Sequence, residues 1–161
     1  MRNNGKPSHD QIGTNSRISE IDAAQLLVKA RHLDQWQKRR QQIAQYWITR
    51  LRGSGARCLI DTQTISDHAL QKFVITLDDR DSVRNMLAEH QIETKIHYEQ
   101  PCHEIGLFHH LPAPDMLSKA SALSRRVLSL PIYPELTDLE VDYVIDQVLS
   151  AVNKTGCNSM A

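Results

Sequence analysis

Arg17, His97 and Tyr98 carry side chains in this 161-residue sequence whose chemistry can grip a polar ligand. The Arg17 guanidinium offers a planar fork of donors that matches a carboxylate. Glu20 and Asp22 follow within about one helical turn, so an ion pair inside the chain is the competing use. His97 and Tyr98 close a β-prone run and open a long loop, where an imidazole and a phenol can position or hydrogen-bond a bound molecule. A partly buried histidine that merely finishes a strand is the competing reading there. Asn15 stands just before a helical run and suits the cap of that helix. His103, His109 and His110 raise the question of a metal, but with His97 they match no usual ligand spacing, and no carboxylate or cysteine is spaced to complete a set. Cys58, Cys102 and Cys157 are odd in number and contain no CxxC pair, which points to neither a disulfide framework nor a zinc ribbon.

The composition narrows the classes of partner. Nineteen basic and nineteen acidic residues cancel, so charge gives no argument for nucleic acid or an anionic membrane surface. With 40% hydrophobic and 24% charged residues, the chain reads as one ordinary soluble globular domain large enough to bury a core. Its first residues contain no apolar run of the signal-peptide kind, and no segment is long and apolar enough to span a bilayer. A cytoplasmic location is therefore expected.

The elements that must position these residues follow from periodicity. Residues 1–15 are rich in Asn, Gly, Ser and Pro and read as a loop or disordered arm. A helical pattern then runs over residues 16–52, with Ile18, Leu26, Leu33, Trp36, Ile43, Trp47 and Leu51 on one stripe. Around Ile21, Leu26, Leu27 and Val28 the pattern is apolar on nearly every side, which predicts packing on a further domain or a partner. Lys38, Arg39 and Arg40 read as a solvated face, and Trp36 and Trp47 as core anchors. Gly53, Ser54 and Gly55 supply the stop. Residues 53–152 read as a small α/β domain. It opens with a strand over 73–77, then a helix for which the run Asp78, Asp79, Arg80, Asp81 supplies an N-cap and first-turn carboxylates, then a second strand over 94–98 that completes a β-α-β unit. An irregular loop over 101–114, a short helix over 116–127 and a strand over 128–131 follow. Thr137 and Glu140 form a capping box that opens a last helix carrying Val141, Val144, Ile145, Val148 and Val152. Residues 153–161 read as a frayed tail.

Five segments, in order, resemble the DegT/DnrJ/EryC1/StrS family of sugar aminotransferases that use pyridoxal phosphate. The first is Arg2, Asn3, Asn4 and Gly5, with Asn4 where the family's loop has histidine. The second runs from Gly13, Thr14, Asn15, Ser16 and Arg17 through Ala24. The third is His32, Leu33, Asp34, Gln35 and Trp36, with Arg39, Arg40 and Ile43 beyond. The fourth is Ile96, His97 and Tyr98 with Pro101 and His103. The fifth runs from Ser129 through Pro131, Tyr133, Pro134 and Glu135 to Thr137. The resemblance covers residues 2–152.

The resemblance implies a long N-terminal helix followed by the small C-terminal α/β domain of a fold-type-I aminotransferase. It also implies an activity: transfer of an amino group, usually from glutamate, to a keto-sugar carried on a nucleotide, for polysaccharide or glycoconjugate synthesis. In the family, the lysine that forms the Schiff base and the carboxylate near the pyridine nitrogen lie upstream of this chain's first residue. Lys6, Lys29, Lys38, Lys72, Lys95, Lys119 and Lys154 match no such motif. Pyridoxal phosphate is therefore expected only in a complete assembly, with none bound by the isolated chain. The expected partner is an N-terminal cofactor-domain fragment or a complete homologue, joined through a homodimer-type interface. By the same resemblance Asn15 would reach the cofactor phosphate across that interface, and His97 and Tyr98 would lie beside the sugar. Two other readings stay open: a non-catalytic regulatory module that pairs with a complete homologue, and a truncated remnant.

Overall fold

The computed structural model describes residues 16–108, 110 and 117–158. It divides between Gln35 and Trp36 into two compact units. In the first, α1 (Glu20–Ala30) opens at Ser19, whose Oγ accepts from the Asp22 amide at 3.1 Å and donates to the Asp22 carboxylate at 2.6 Å. This is a side-chain N-cap with two acids in the first turn, both favourable at a helix N-terminus. The helix buries no residue: Ile21 is 72% exposed and Leu27 68%.

The helix expected over residues 16–52 is interrupted. α1 ends at Ala30 and α2 spans Leu33–Leu51. Neither glycine nor proline marks the break. The Arg31 amide bonds the Val28 carbonyl at 3.3 Å and the His32 amide bonds the Lys29 carbonyl at 3.0 Å, so the last turn tightens to i→i−3. Asp34 then supplies a carboxylate for the first turn of α2. The division between units also differs from the one expected at residue 52, because most of α2 belongs to the second unit. Its Ile43, Ala44, Trp47, Ile48 and Leu51 are buried there, while Leu33 is exposed and Trp36 half-buried.

The second unit joins α2, α3 (Arg80–Glu89) and α5 (Asp138–Asn158) to a three-stranded antiparallel sheet ordered β1 (Arg57–Cys58), β2 (Phe73–Thr76), β3 (Val127–Leu130). Trp47, with no exposed surface, meets Phe73 edge-on at 5.3 Å and donates from Nε1 to the Val141 carbonyl at 3.0 Å. Gly53 (φ 76°) and Gly55 (φ 88°) turn the chain out of α2 in the left-handed region that glycine tolerates. The Asp79 carboxylate accepts from the Ser82 amide at 3.3 Å and caps α3. At α5 the Glu140 carboxylate accepts from the Thr137 amide at 2.8 Å and Thr137 Oγ1 accepts from the Glu140 amide at 3.3 Å, which is the capping box read from the sequence.

α2 and α5 run parallel. Arg39 bonds the Leu136 carbonyl and Asp138, Tyr46 donates to Asp142, and Arg50 bonds Asp146, each contact one step further along both helices. Arg39 is thus a cross-link between helices, rather than a member of the solvated face expected for Lys38, Arg39 and Arg40.

The second strand expected over 94–98 shrinks to one antiparallel bridge between Lys95 and Ser129 of β3. The ladder's next pair would set residue 93 against Pro131, which has no N–H to donate. Because β3 lies between β2 and this segment, the predicted β-α-β unit is split rather than adjacent. The expected helix over 116–127 is narrower, α4 spanning Ser118–Ser124, and α5 continues through residues expected to be frayed. The arm over residues 1–15 lies outside the described residues.

Candidate functional site

Ser129 organises the site. It is buried, its amide donates to the Lys95 carbonyl at 2.7 Å, and its carbonyl accepts from the Lys95 amide at 3.2 Å. Its hydroxyl lies 2.8 Å from His97 Nδ1. One residue of a core strand therefore fixes both the backbone of the bridge segment and the ring of the histidine two positions later. The structure brings His97 and Tyr98 together: their rings meet edge-on at 5.6 Å, across a cis peptide bond. His97 is half-buried and Tyr98 is 71% exposed.

His97 is common to two clefts. The first, about 440 Å³, has a mostly apolar wall from Pro101, Ile105, Leu123 and Val127, with Tyr98 and Cys102 at its side. The second, about 320 Å³, sets the charged side chains of Lys72, Glu93 and Lys95 and the hydroxyl of Ser129 around a floor that includes Leu130 and Pro131. Burial pushes the His97 imidazole below its ordinary pKa, and the positive charges of Lys72 and Lys95 push it further the same way. The ring therefore favours the neutral form, with Nδ1 held by the Ser129 hydroxyl.

His103 takes a different role from His97. Its Nε2 lies 2.9 Å from Ser121 Oγ, and the Ser121 hydroxyl donates to Glu104. With that proton given to the carboxylate, the ring nitrogen must be the donor to Ser121. The cluster ties the turn at Cys102–Glu104 to α4, beside the apolar cleft. Among the described residues no three of His, Cys, Asp and Glu converge as metal ligands. Arg17 is exposed, in the first compact unit, and pairs with neither Glu20 nor Asp22. Asn15 and His109 lie outside the described residues. Nothing in the sequence pattern singles out Lys72, Lys95 or Ser129 as site residues. Lys95 shares only strand-like period-2 spacing with His97, whereas Lys72 joins them through the order of the sheet.

A family model, the DegT/DnrJ/EryC1/StrS aminotransferase family, matches residues 1–149. The chain belongs to this family. Among the relatives of this aminotransferase-family chain is the erythromycin biosynthesis sensory transduction protein EryC1 of Saccharopolyspora erythraea. It is 38% identical, over 90% of this chain and 41% of EryC1. The dTDP-3-amino-3,4,6-trideoxy-alpha-D-glucose transaminase of Streptomyces venezuelae is 36% identical, over 92% of this chain and 40% of its own. Among solved structures, S. venezuelae DesV superposes with a TM-score of 0.80 at 34% identity, covering 91% of this chain and 40% of DesV. A family aminotransferase from Brucella abortus superposes with a TM-score of 0.79 at 27% identity, covering 90% of this chain and 39% of that one. The likeness falls in the C-terminal part of fold-type-I aminotransferases. The chain spans about two fifths of the length of the curated relatives it matches.

The family depends on pyridoxal phosphate, and the described residues do not by themselves fit that cofactor. Lys29, Lys38, Lys95, Lys119 and Lys154 are exposed. Lys72 is half-buried, but its ammonium donates to Gln71 Oε1 at 2.6 Å. None sits in the desolvated pocket that makes a lysine amine nucleophilic. Among the described residues no helix is long and apolar enough to cross a membrane.

Proposed function

We propose that this chain serves as the C-terminal portion of a nucleotide-sugar aminotransferase, with the cofactor-holding lysine domain supplied from outside these 161 residues. The supporting observation is the pairing of two clefts at His97, in a domain that superposes on DesV with a TM-score of 0.80. In this reading His97 and Tyr98 orient the sugar. Arg17 offers a fork to a substrate carboxylate such as glutamate's, and Asn15 donates to the cofactor phosphate of an adjoining subunit. The chain's own groups bind and position, and the amino-transfer chemistry belongs to the domain that carries the lysine.

The test is reconstitution. The chain is mixed or co-expressed with the cofactor domain of a homologue and assayed for glutamate-dependent amination of keto-sugar nucleotides. Activity that appears only in the mixture, and drops in Asn15→Ala without loss of the cofactor-free melting temperature, supports the reading. An N-cap role alone would do the opposite, lowering the melt and leaving cofactor affinity unchanged. If the mixture is inactive while a complete homologue binds the chain and changes its own rate, the regulatory reading replaces this one.

A further inference from the structure

We propose that the cleft lined by Lys72 and Lys95 binds the pyrophosphate group of a ligand, with His97 as the joint between this anion site and the neighbouring, more apolar cleft. The proposal rests on the nucleotide-sugar reading above and assigns that substrate's most highly charged part to named residues. Lys72 stands immediately before β2 and Lys95 lies in the bridge segment, so two lysines from different elements line one cleft with Ser129, Leu130 and Pro131; the Lys72 ammonium is held by Gln71 Oε1 at 2.6 Å, itself a lining residue. Lysine is a mobile point charge, which suits the distributed charge of phosphate oxygens better than the planar fit of one carboxylate.

The cleft contains one carboxylate, Glu93, whose oxygen lies 3.3 Å from the Lys95 ammonium. Their side chains are 67% (Lys95) and 80% (Glu93) exposed, and exposed pairs of this kind hold weakly. A ligand with several negative charges can take Lys95 from it. Both lysines lie close enough to His97 to act on its ring electrostatically, and all three residues line the same cleft. The ring is held by Ser129 at 2.8 Å and needs no reordering to meet a ligand. The neighbouring cleft, apolar on most of its wall, is left for the uncharged remainder of the molecule.

The experiment uses the full 161-residue chain, labelled for NMR, with pyrophosphate, UDP, dTDP and glutamate titrated at constant ionic strength. A saturable shift of the His97 ring resonances is expected with pyrophosphate and both nucleotides. Lys72→Gln and Lys95→Gln should each weaken pyrophosphate binding about five- to tenfold, while Lys38→Gln, the same charge change on α2 away from the cleft, should not. Equal losses in all three variants would reduce the effect to net charge and overturn the site. So would the lack of a saturable shift at His97, or displacement of pyrophosphate by equimolar glutamate. The reconstituted enzyme separates the two readings. Lysine-dependent pyrophosphate binding without amino transfer keeps the site and removes the enzyme reading. Amino transfer with an unchanged KM for the nucleotide sugar in Lys72→Gln and Lys95→Gln keeps the enzyme and removes the site.

Discussion

His97 has a pKa lowered first by burial and then by two lysines, and this makes it a direct gauge of the cleft. Lys95→Gln should raise its pKa toward the ordinary histidine value, as read from the ring-proton NMR titration; an unchanged value would mean that Lys95 does not act on the ring. The sign for stability follows. A histidine depressed in the folded state leaves stability complete above its unfolded pKa, and that stability is lost as pH falls through the folded value. Chemical denaturation of the wild type should therefore show a pH-dependent loss in that window, which His97→Gln reduces. The cysteines separate by the same physics. Burial pushes the Cys58 thiol up to about 11, whereas Cys102 is exposed beside the apolar cleft. Only the thiolate reacts, so iodoacetamide near pH 8 should label Cys102 well before Cys58, with peptide mapping as the readout. Preferential labelling of Cys58 would show that its environment opens in solution.

At the scale of elements, local rules read cleanly wherever a side chain and the backbone it satisfies are neighbours in sequence. The Thr137–Glu140 capping box, the Asp79 cap and the glycines after α2 are of this kind. Thr137→Ala should cost about 1 kcal/mol of stability, measured by denaturant titration; a loss near zero would mean that Asp138 or Arg39 contacts already hold the first turn of α5. The hydrogen bonds to Thr137 hold the Glu140 carboxyl below the usual carboxylate range, so this cap persists as pH falls into that range and is lost only as more acid protonates it. Other elements were not legible because their causes are not local. The interruption at Arg31 and His32 has no breaker residue and exists only as two shortened hydrogen bonds. The strand expected to end in Tyr98 keeps only the Lys95–Ser129 bridge, and Pro131, facing residue 93, limits the ladder only on its N-terminal side, a fact that needs the register of β3. For the site, His97 and Tyr98 could be singled out from the sequence, whereas the convergence of Lys72 on Lys95 required the sheet order β2, β3, bridge segment. The all-round apolar pattern of α1 calls for cover, and in this chain none of its residues is buried.

For the whole molecule, that bare helix sets the expected behaviour in solution. Ile18, Ile21, Leu26, Leu27 and Val28 are all more than half exposed, and contiguous apolar surface of this kind favours association. Sedimentation should show concentration-dependent self-association that Ile21→Glu with Leu27→Glu suppresses and that a complementing cofactor domain replaces. A chain that stays monomeric at all concentrations would show that α1 tolerates water. The parallel run of α2 and α5 has a mechanical consequence. The start of α2 and the end of α5 lie at opposite ends of the pair, so force applied through the two ends of this domain pulls the helices past each other lengthwise. The bonds from Arg39, Tyr46 and Arg50 to α5 then carry the load together and must break in concert, whereas an antiparallel pair pulled the same way would peel open one bond at a time. A single-molecule stretching experiment should accordingly find one high rupture force for this domain, lowered in a variant that lacks Arg50.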